Sequence, residues 1–429
     1  MLQTDTEHKK NKRKIAIILS IIPGIGQMYN KQVFKGLVFL VLTISFFVAF
    51  RDLFQFGFWG LITLGVDPQY DHSIFLLIEG ILTVIITILF LGIYAFNFYD
   101  AYKVGKKRDN AEKVNGLREQ YHALIDNGFP YLMMSPGFLL MVFVVIFPIL
   151  FVILLSFTNY NLYHSPPANL VDWVGFQNFV DIFNVPIWRE TFISVFAWTI
   201  VWTFAATTLQ IGLGILLAVI MNQPDIKFKR TIRTIFILPW AVPAFVSLLV
   251  FAGMFNESFG TINRDILAFF GLDAIPWMTN AMYTRLALIF IQTWLGFPFI
   301  FAMTTGVLQS IPSELYEAAD VDGATIIQKF RSITLPLILF STAPILITQF
   351  TGNFNNFNAI YLFNGGGPAV SGQNAGGTDI LISWIYSLTM NSAQYGKAAA
   401  ITMILSLIVI IVALWQFRRT KSFQEEDMM

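Results

Sequence analysis

Long apolar runs, each bounded by polar punctuation, constrain this chain more than any other feature. A helix needs about 20 mostly apolar residues to cross a bilayer. Runs of that kind lie at about 34–56, 74–98, 131–157, 191–221, 234–256, 285–308, 334–362 and 398–417. Charged residues make up only 12% of the chain against 56% hydrophobic, about half the charge of a soluble domain. The reading is an all-α polytopic membrane protein with about eight transmembrane helices, and a soluble α/β enzyme is excluded. Cysteine is absent, and the four histidines (His8, His72, His122, His164) are scattered, so thiol chemistry and a His/Cys metal site are excluded as well.

Positive charge orients the spans. With the N-terminus inside, 22 of the 27 Lys and Arg fall in the segments 1–35, 99–130, 222–233, 309–333 and the tail from 418. The other five are Arg51, Arg189, Arg264, Arg285 and Lys397. Both termini are therefore expected in the cytoplasm, with an even number of spans. The net charge of +1 gives no reason to expect a nucleic-acid partner. Residues 15–29 are apolar but too short to span, and Pro23, Gly24 and Gly26 interrupt them. They read as an interfacial or re-entrant segment; a signal peptide is the rival, but no small-x-small cleavage site follows. The expected organisation is an N-terminal region with two spans and a cytoplasmic linker (1–130), a six-span core (131–417) and a cytoplasmic tail (418–429).

Two polar segments interrupt the apolar pattern. The first is the loop 310–336. Pro312 opens a short helix, with Ser313 and Glu314 in its first turn. Glu317, Ala318 and Ala319 continue it, and the small alanines suit a helix seated in a cleft. Gly323 permits a sharp reversal. Residues 324–332 are expected to form a second short helix, and Ile333, Leu335 and Pro336 lead into the next span. An ordinary helical hairpin between spans is the plain alternative.

The second is Gln349-Phe350-Thr351-Gly352-Asn353-Phe354-Asn355-Asn356-Phe357-Asn358, inside an apolar run. On a continuous helix Gln349, Gly352, Asn353 and Asn356 share an arc of about 100°. Amides donate and accept hydrogen bonds, which suits vicinal hydroxyls. The neighbouring phenylalanines suit the apolar face of a sugar ring, and the lack of charge points to a neutral ligand. Asn353 and Asn356 are read as ligand contacts, Asn355 and Asn358 as ties between helices. In the preceding span Gly296 and Pro298 are expected to weaken the helix at mid-membrane, either by lining a cavity with broken backbone or as a simple kink.

The loop resembles the EAA motif of the inner-membrane permease subunits of bacterial ABC importers. Together with Trp294-Leu295-Gly296-Phe297-Pro298, the asparagine-rich segment and Asn364-Gly365-Gly366-Gly367-Pro368, it narrows to the MalF-type permeases of maltose and maltodextrin importers. The resemblance implies a type I ABC importer permease fold and makes Glu317 and Gly323 central to coupling with an ATPase. It places sugar contacts on Leu295, Gly296, Phe299, Gln349, Gly352, Asn353 and Asn356. Phe299 departs from a tyrosine of the family, and Gln349 and Gly352 from a serine and a phenylalanine. The implied partners are a second, MalG-like permease, a dimer of ATPase subunits, an extracellular sugar-binding lipoprotein, a maltodextrin substrate and the lipid membrane. No G-x-x-x-x-G-K-[ST] phosphate loop occurs, so no cofactor is expected on this chain, ATP and Mg²⁺ being bound by the partner ATPase.

Within that class, another neutral oligosaccharide such as a galactoside is the alternative substrate. An ion-coupled secondary transporter needs intramembrane carboxylates, and only Glu79 lies clearly inside a span. No acid pair, His cluster or Ser–His arrangement supports an enzyme.

Overall fold

The computed structural model describes residues 11–223 and 226–419. The described residues are helical throughout, apart from loops and two isolated bridges, Thr158 with Trp173 and Ala369 with Gly376. Six helices are long and apolar enough to cross a membrane, or up to eight if each of two bent pairs is one span. The helices divide into two compact units, Met1–Gly175 and Phe176–Met429, where the sequence reading sets the division at 130. Residues 420–429 of the expected tail lie outside the described residues.

In the first unit α1 (Lys12–Leu19) and α2 (Ile25–Tyr29) precede α3 (Val33–Ala49) and α4 (Arg51–Thr63), which are bent by 56° at Phe50. The long α5 (Ser73–Asp109) follows, then α6 (Leu117–Met141), a wide turn at Val142–Ile146 and α7 (Phe147–Leu155). The interrupted segment 15–29 thus forms two short helices folded onto α5. Asp109 accepts hydrogen bonds from Lys12 N and Arg13 N at 2.9 and 3.3 Å, satisfying free donors at the start of α1. Asn97 donates to Ser20 O at 2.9 Å, and Gln27 donates to Asn97 O at 3.0 Å. The end of the third span packs against α5. That contact groups the end of the span with the first unit.

The second unit begins with α8 (Gln177–Asn184) and the 37-residue α9 (Pro186–Asn222). Next come α10 (Lys229–Ala241) and α11 (Ala244–Met254), bent by 91° at Val242 and Pro243. The fifth apolar run is therefore a sharply broken element: Pro243 supplies no N–H to continue the ladder. After α12 (Ala281–Ser310) come α13 (Ser313–Val321), α14 (Ile326–Lys329), a wide turn at Phe330–Thr334 and α15 (Leu335–Phe354). The chain ends with α16 (Phe357–Asn364), α17 (Leu381–Met390) and α18 (Tyr395–Arg419).

Helix α9 organises this unit, packing chiefly along α12 and then along α15. Trp198 and Trp202 of α9 are buried with Ile291 of α12 and Ile360 of α16. Ile300 and Phe301 of α12 form a second core with Ile338 of α15. The face of α9 between them is polar: Thr199, Thr203, Thr207 and Gln210 are all buried. Both wide turns that precede a proline obey one rule. Pro148 and Pro336 each sit at the second position of the following helix. The carbonyl four residues back falls in the widened segment, which relieves the ring clash without ending the helix.

Candidate functional site: an amide cluster and an exposed loop on one helix

The backbone of the asparagine-rich segment sets its chemistry. Helix α15 stops at Phe354 and α16 restarts at Phe357, so the break falls at Asn355 and Asn356. It does not fall at Gly296 and Pro298, which α12 traverses without interruption. The expected mid-membrane weakness is therefore displaced from the sixth apolar run to the seventh. Asn356 caps the restart, its Oδ1 accepting from Ala359 N at 3.2 Å, as asparagine does at a helix N-terminus. The 100° projection holds only for Gln349, Gly352 and Asn353, because the helix it assumes ends before Asn356.

Asn353 is buried, and its polar atoms are committed to two neighbouring helices. Its Nδ2 donates to Thr207 Oγ1 of α9 at 2.8 Å. Its Oδ1 accepts from Gln292 Nε2 of α12 at 2.9 Å. Its carbonyl oxygen accepts from Trp202 Nε1 at 2.9 Å. In this conformation Asn353 is an interhelical tie, the role expected of Asn355 and Asn358. Those two are exposed, and Asn355 Nδ2 donates only locally, to Thr351 O at 3.3 Å. The helix end turns these later asparagines off the buried face.

One turn earlier Gln210 Nε2 donates to Gln349 Oε1 at 3.2 Å. Gln210 is 1% exposed and its own Oε1 has no partner. Gly296 lies directly against this carboxamide, where an added Cβ would overlap Oε1. The glycine is required by the close approach of α9 and α12. Gly352, by contrast, is exposed, with open space where a Cβ would stand. Leu295 is half-buried against the tryptophan core. Half-buried Phe299 lies with its ring 6.2 Å from Trp240. Gly296, Gln349 and Asn353 are thus joined through Gln210, Thr207 and Gln292, three residues absent from the sequence reading. The signal for Thr207 and Gln210 was the polar spacing Thr199, Thr203, Thr207, Gln210 on a mainly apolar helix, which is helical periodicity; Gln292 had none.

Glu190 is the single carboxylate of α9, at its start, and α12 and α15 have none. The cluster consists of neutral donors and acceptors, suited to hydrogen bonding with hydroxyls. Among the described residues no group of three or more His, Cys, Asp or Glu could hold a metal ion.

The loop 310–336 is built as a rigid reversal. Ala324 N donates to Ala319 O at 2.9 Å and Gly323 N to Asp320 O at 3.1 Å. These are the paired bonds that close a helix around a left-handed residue, and Gly323 has φ +74°. Thr325 caps α14 reciprocally with Gln328. Lys329 and Asp320 pair at 2.6 Å across the reversal. Tyr316 and Thr334 share a hydroxyl hydrogen bond at 2.9 Å. Glu317 and Ala318 are exposed, as is Pro336, whereas Ala319, Ile333 and Leu335 are half-buried. The tip presents Val321, Ile326 and Ile327 at 89%, 74% and 69% exposure. An apolar crest of that kind marks an interaction surface. The second helix of the loop does not end at 332. It runs through the wide turn into α15, so loop and amide cluster share one continuous helix.

The family model described as "Binding-protein-dependent transport system inner membrane component" matches residues 210–421. The chain is 62% identical over 414 residues to the galactooligosaccharides transport system permease protein GanP of Bacillus subtilis, covering 96% of this chain and 99% of that one. It belongs to this permease family. It is also 52% identical to the maltodextrin transport system permease protein MdxF of Bacillus subtilis, over 98% of each chain. Among solved structures, a bacterial ABC transporter that imports alginate aligns with TM-score 0.56 and 24% identity, covering 69% of this chain and 96% of that one; at that identity the likeness is one of fold. The chain is thus a multi-pass cytoplasmic-membrane permease subunit of an ABC sugar importer, and not an enzyme.

Proposed function

We propose that this permease forms one half of the translocation path of an ATP-driven importer of neutral galactooligosaccharides, and that the loop 310–336 transmits motion from a separate ATPase. The observation that carries the coupling is the continuous helix from Ile326 to Phe354. At about 1.5 Å per residue, Gln349 lies roughly 35 Å along it from the loop. A displacement of the loop tip is therefore a displacement of Gln349 and Asn353, which must exchange or strain their bonds to α9 and α12. Exposed Val321, Ile326 and Ile327 supply the apolar contact to the ATPase, with Glu317, Ala318, Ala319 and Gly323 shaping the reversal and Ile333, Leu335 and Pro336 joining it to the span.

For the sugar, the open position at Gly352, the face of Phe299 and the amides of Gln349 and Asn356 are the contacts. Leu295, Gly296 and Asn353 position them. Asn353 becomes available to a sugar hydroxyl only when its bonds to Thr207 and Gln292 part. The partners are a second permease, an ATPase dimer and an extracellular binding protein. ATP and Mg²⁺ are bound by the ATPase, and both termini of this chain face the cytoplasm. The 62% identity to a galactooligosaccharide permease favours that substrate over maltodextrin, which the 52% relative supports as the second reading. Uptake of labelled galactooligosaccharide by cells carrying this importer alone tests the choice. Competition by unlabelled galactobiose and not by maltotetraose supports the first reading, and the reverse supports the second.

A further inference from the structure

The transport path leaves unused a cavity of about 530 Å³ in the first unit. It lies between the start of α3, the last turns of α5 and the segment 114–128. Its walls divide by chemistry. Phe34, Val38 and Phe96 form an apolar side whose rings and branches are exposed. Lys35, Lys103 and Lys107 line the same cavity with Gln32, Asp100 and Gln120.

The cations near this cavity are not equivalent. Lys35 is paired with Asp100. Arg108 donates to Tyr29 O and Asn30 Oδ1 and lies 5.0 Å over the Tyr29 ring. Both serve the fold. Among the described residues no carboxylate lies within ion-pair distance of Lys103 or Lys107. Gln32 adds a side chain that is 6% exposed and whose Oε1 has no hydrogen-bond partner. Two uncommitted ammonium groups, a buried amide that lacks a donor and an apolar wall at a span end describe one kind of ligand.

We propose that this cavity binds an anionic phospholipid of the phosphatidylglycerol class. The phosphate lies against Lys103 and Lys107, a headgroup hydroxyl reaches Gln32, and an acyl chain runs along Phe34, Val38 and Phe96. The basic end of α5 lies in the cytoplasmic leaflet by the distribution of Lys and Arg, where anionic lipid attracts such residues. A free phosphate would satisfy the lysines but would leave the apolar wall without a purpose.

The test uses the purified importer complex in detergent, offered phosphatidylglycerol, phosphatidylcholine or inorganic phosphate. Native mass spectrometry reads retained lipid. Amine-reactive labelling reads Lys103 and Lys107, with Lys113, which pairs with Glu119, as the internal reference. Phosphatidylglycerol should be retained in preference to phosphatidylcholine and should shield Lys103 and Lys107 but not Lys113. The variant Lys103→Gln/Lys107→Gln should retain it about thirtyfold less well. Equal retention of the two lipids, or equal retention by the variant, overturns the proposal. Shielding by phosphate but not by phosphatidylglycerol overturns it in favour of a soluble anion. The labelling arm needs no substitution, so the outcome does not hang on the variant's assembly.

Discussion

Gln292 Nε2 donates to Asn353 Oδ1 at 2.9 Å, and this bond ties α12 to α15 at the level where Asn353 also holds Thr207 of α9. Three helices of the second unit therefore meet on one amide. Its loss leaves buried Thr207 and half-buried Gln292 each short of a partner, at about 1–3 kcal/mol each when no water reaches them and nearer 0.6 kcal/mol when another partner is found in the membrane. Asn353→Ala should lower the melting temperature of the purified complex as well as uptake. A double-mutant cycle with Gln292→Ala should show coupling of about 0.6–1.7 kcal/mol. A variant with unchanged melting and only a raised KM would make Asn353 a pure sugar contact.

Gly296 and Gln210 make a second, reciprocal pair. A methyl at 296 meets the Gln210 carboxamide, so Gly296→Ala should force α9 and α12 apart, at about 1–3 kcal/mol. Shortening the obstacle should restore the fit. Gly296→Ala combined with Gln210→Ala is expected to assemble and melt closer to the parent than Gly296→Ala alone. Additive losses in the pair would show that the glycine serves something other than this approach.

At Gly323 the positive φ separates backbone strain from lost contact. Ala there should cost about 1 kcal/mol locally, while Asn, which tolerates the left-handed conformation, should cost less. Sugar-stimulated ATPase activity is expected to fall in the order Gly, Asn, Ala, Pro, with sugar binding by the external protein unchanged. Equal activity across the series would remove Gly323 from the coupling.

Glu257 gives a pH dependence outside the spans. Burial raises its carboxyl pKa, but hydrogen bonds from Thr279 Oγ1, Met278 N and Thr279 N outweigh it, and the net direction is downward. A carboxylate with a lowered folded-state pKa stabilises fully above its ordinary pKa and loses that contribution as pH falls through the folded value. Glu257→Gln should therefore lower the melting temperature at neutral pH, by about 1–2 kcal/mol of stability. The difference from the parent should shrink in the acid range below the ordinary glutamate pKa of 4.5. A constant difference across that range would contradict the assignment.

Apolar run length made the spans legible, and Pro312, Gly323 and Pro336 made the reversal of the loop 310–336 legible, because those signals act locally. What stayed hidden depends on neighbours distant in sequence. The tie from Asn353 to Gln292 and Thr207 needs three helices in register. The break at Asn355 follows from capping by Asn356, which competes with helix continuation where four amides cluster. Gly296 and Pro298 looked like a break because the sequence does not show Gln210 packed against the glycine.

The central claim is that sugar and ATPase communicate through the helix that begins at the loop and carries the amide cluster. Its most direct test is the ATPase activity of the purified complex in lipid, with its binding protein, across galactobiose, longer galactooligosaccharides, maltose, maltotetraose and raffinose. The account predicts stimulation by the galactooligosaccharides, abolished by Gly323→Pro. An ATPase that no sugar stimulates, or stimulation that survives Gly323→Pro intact, would contradict it.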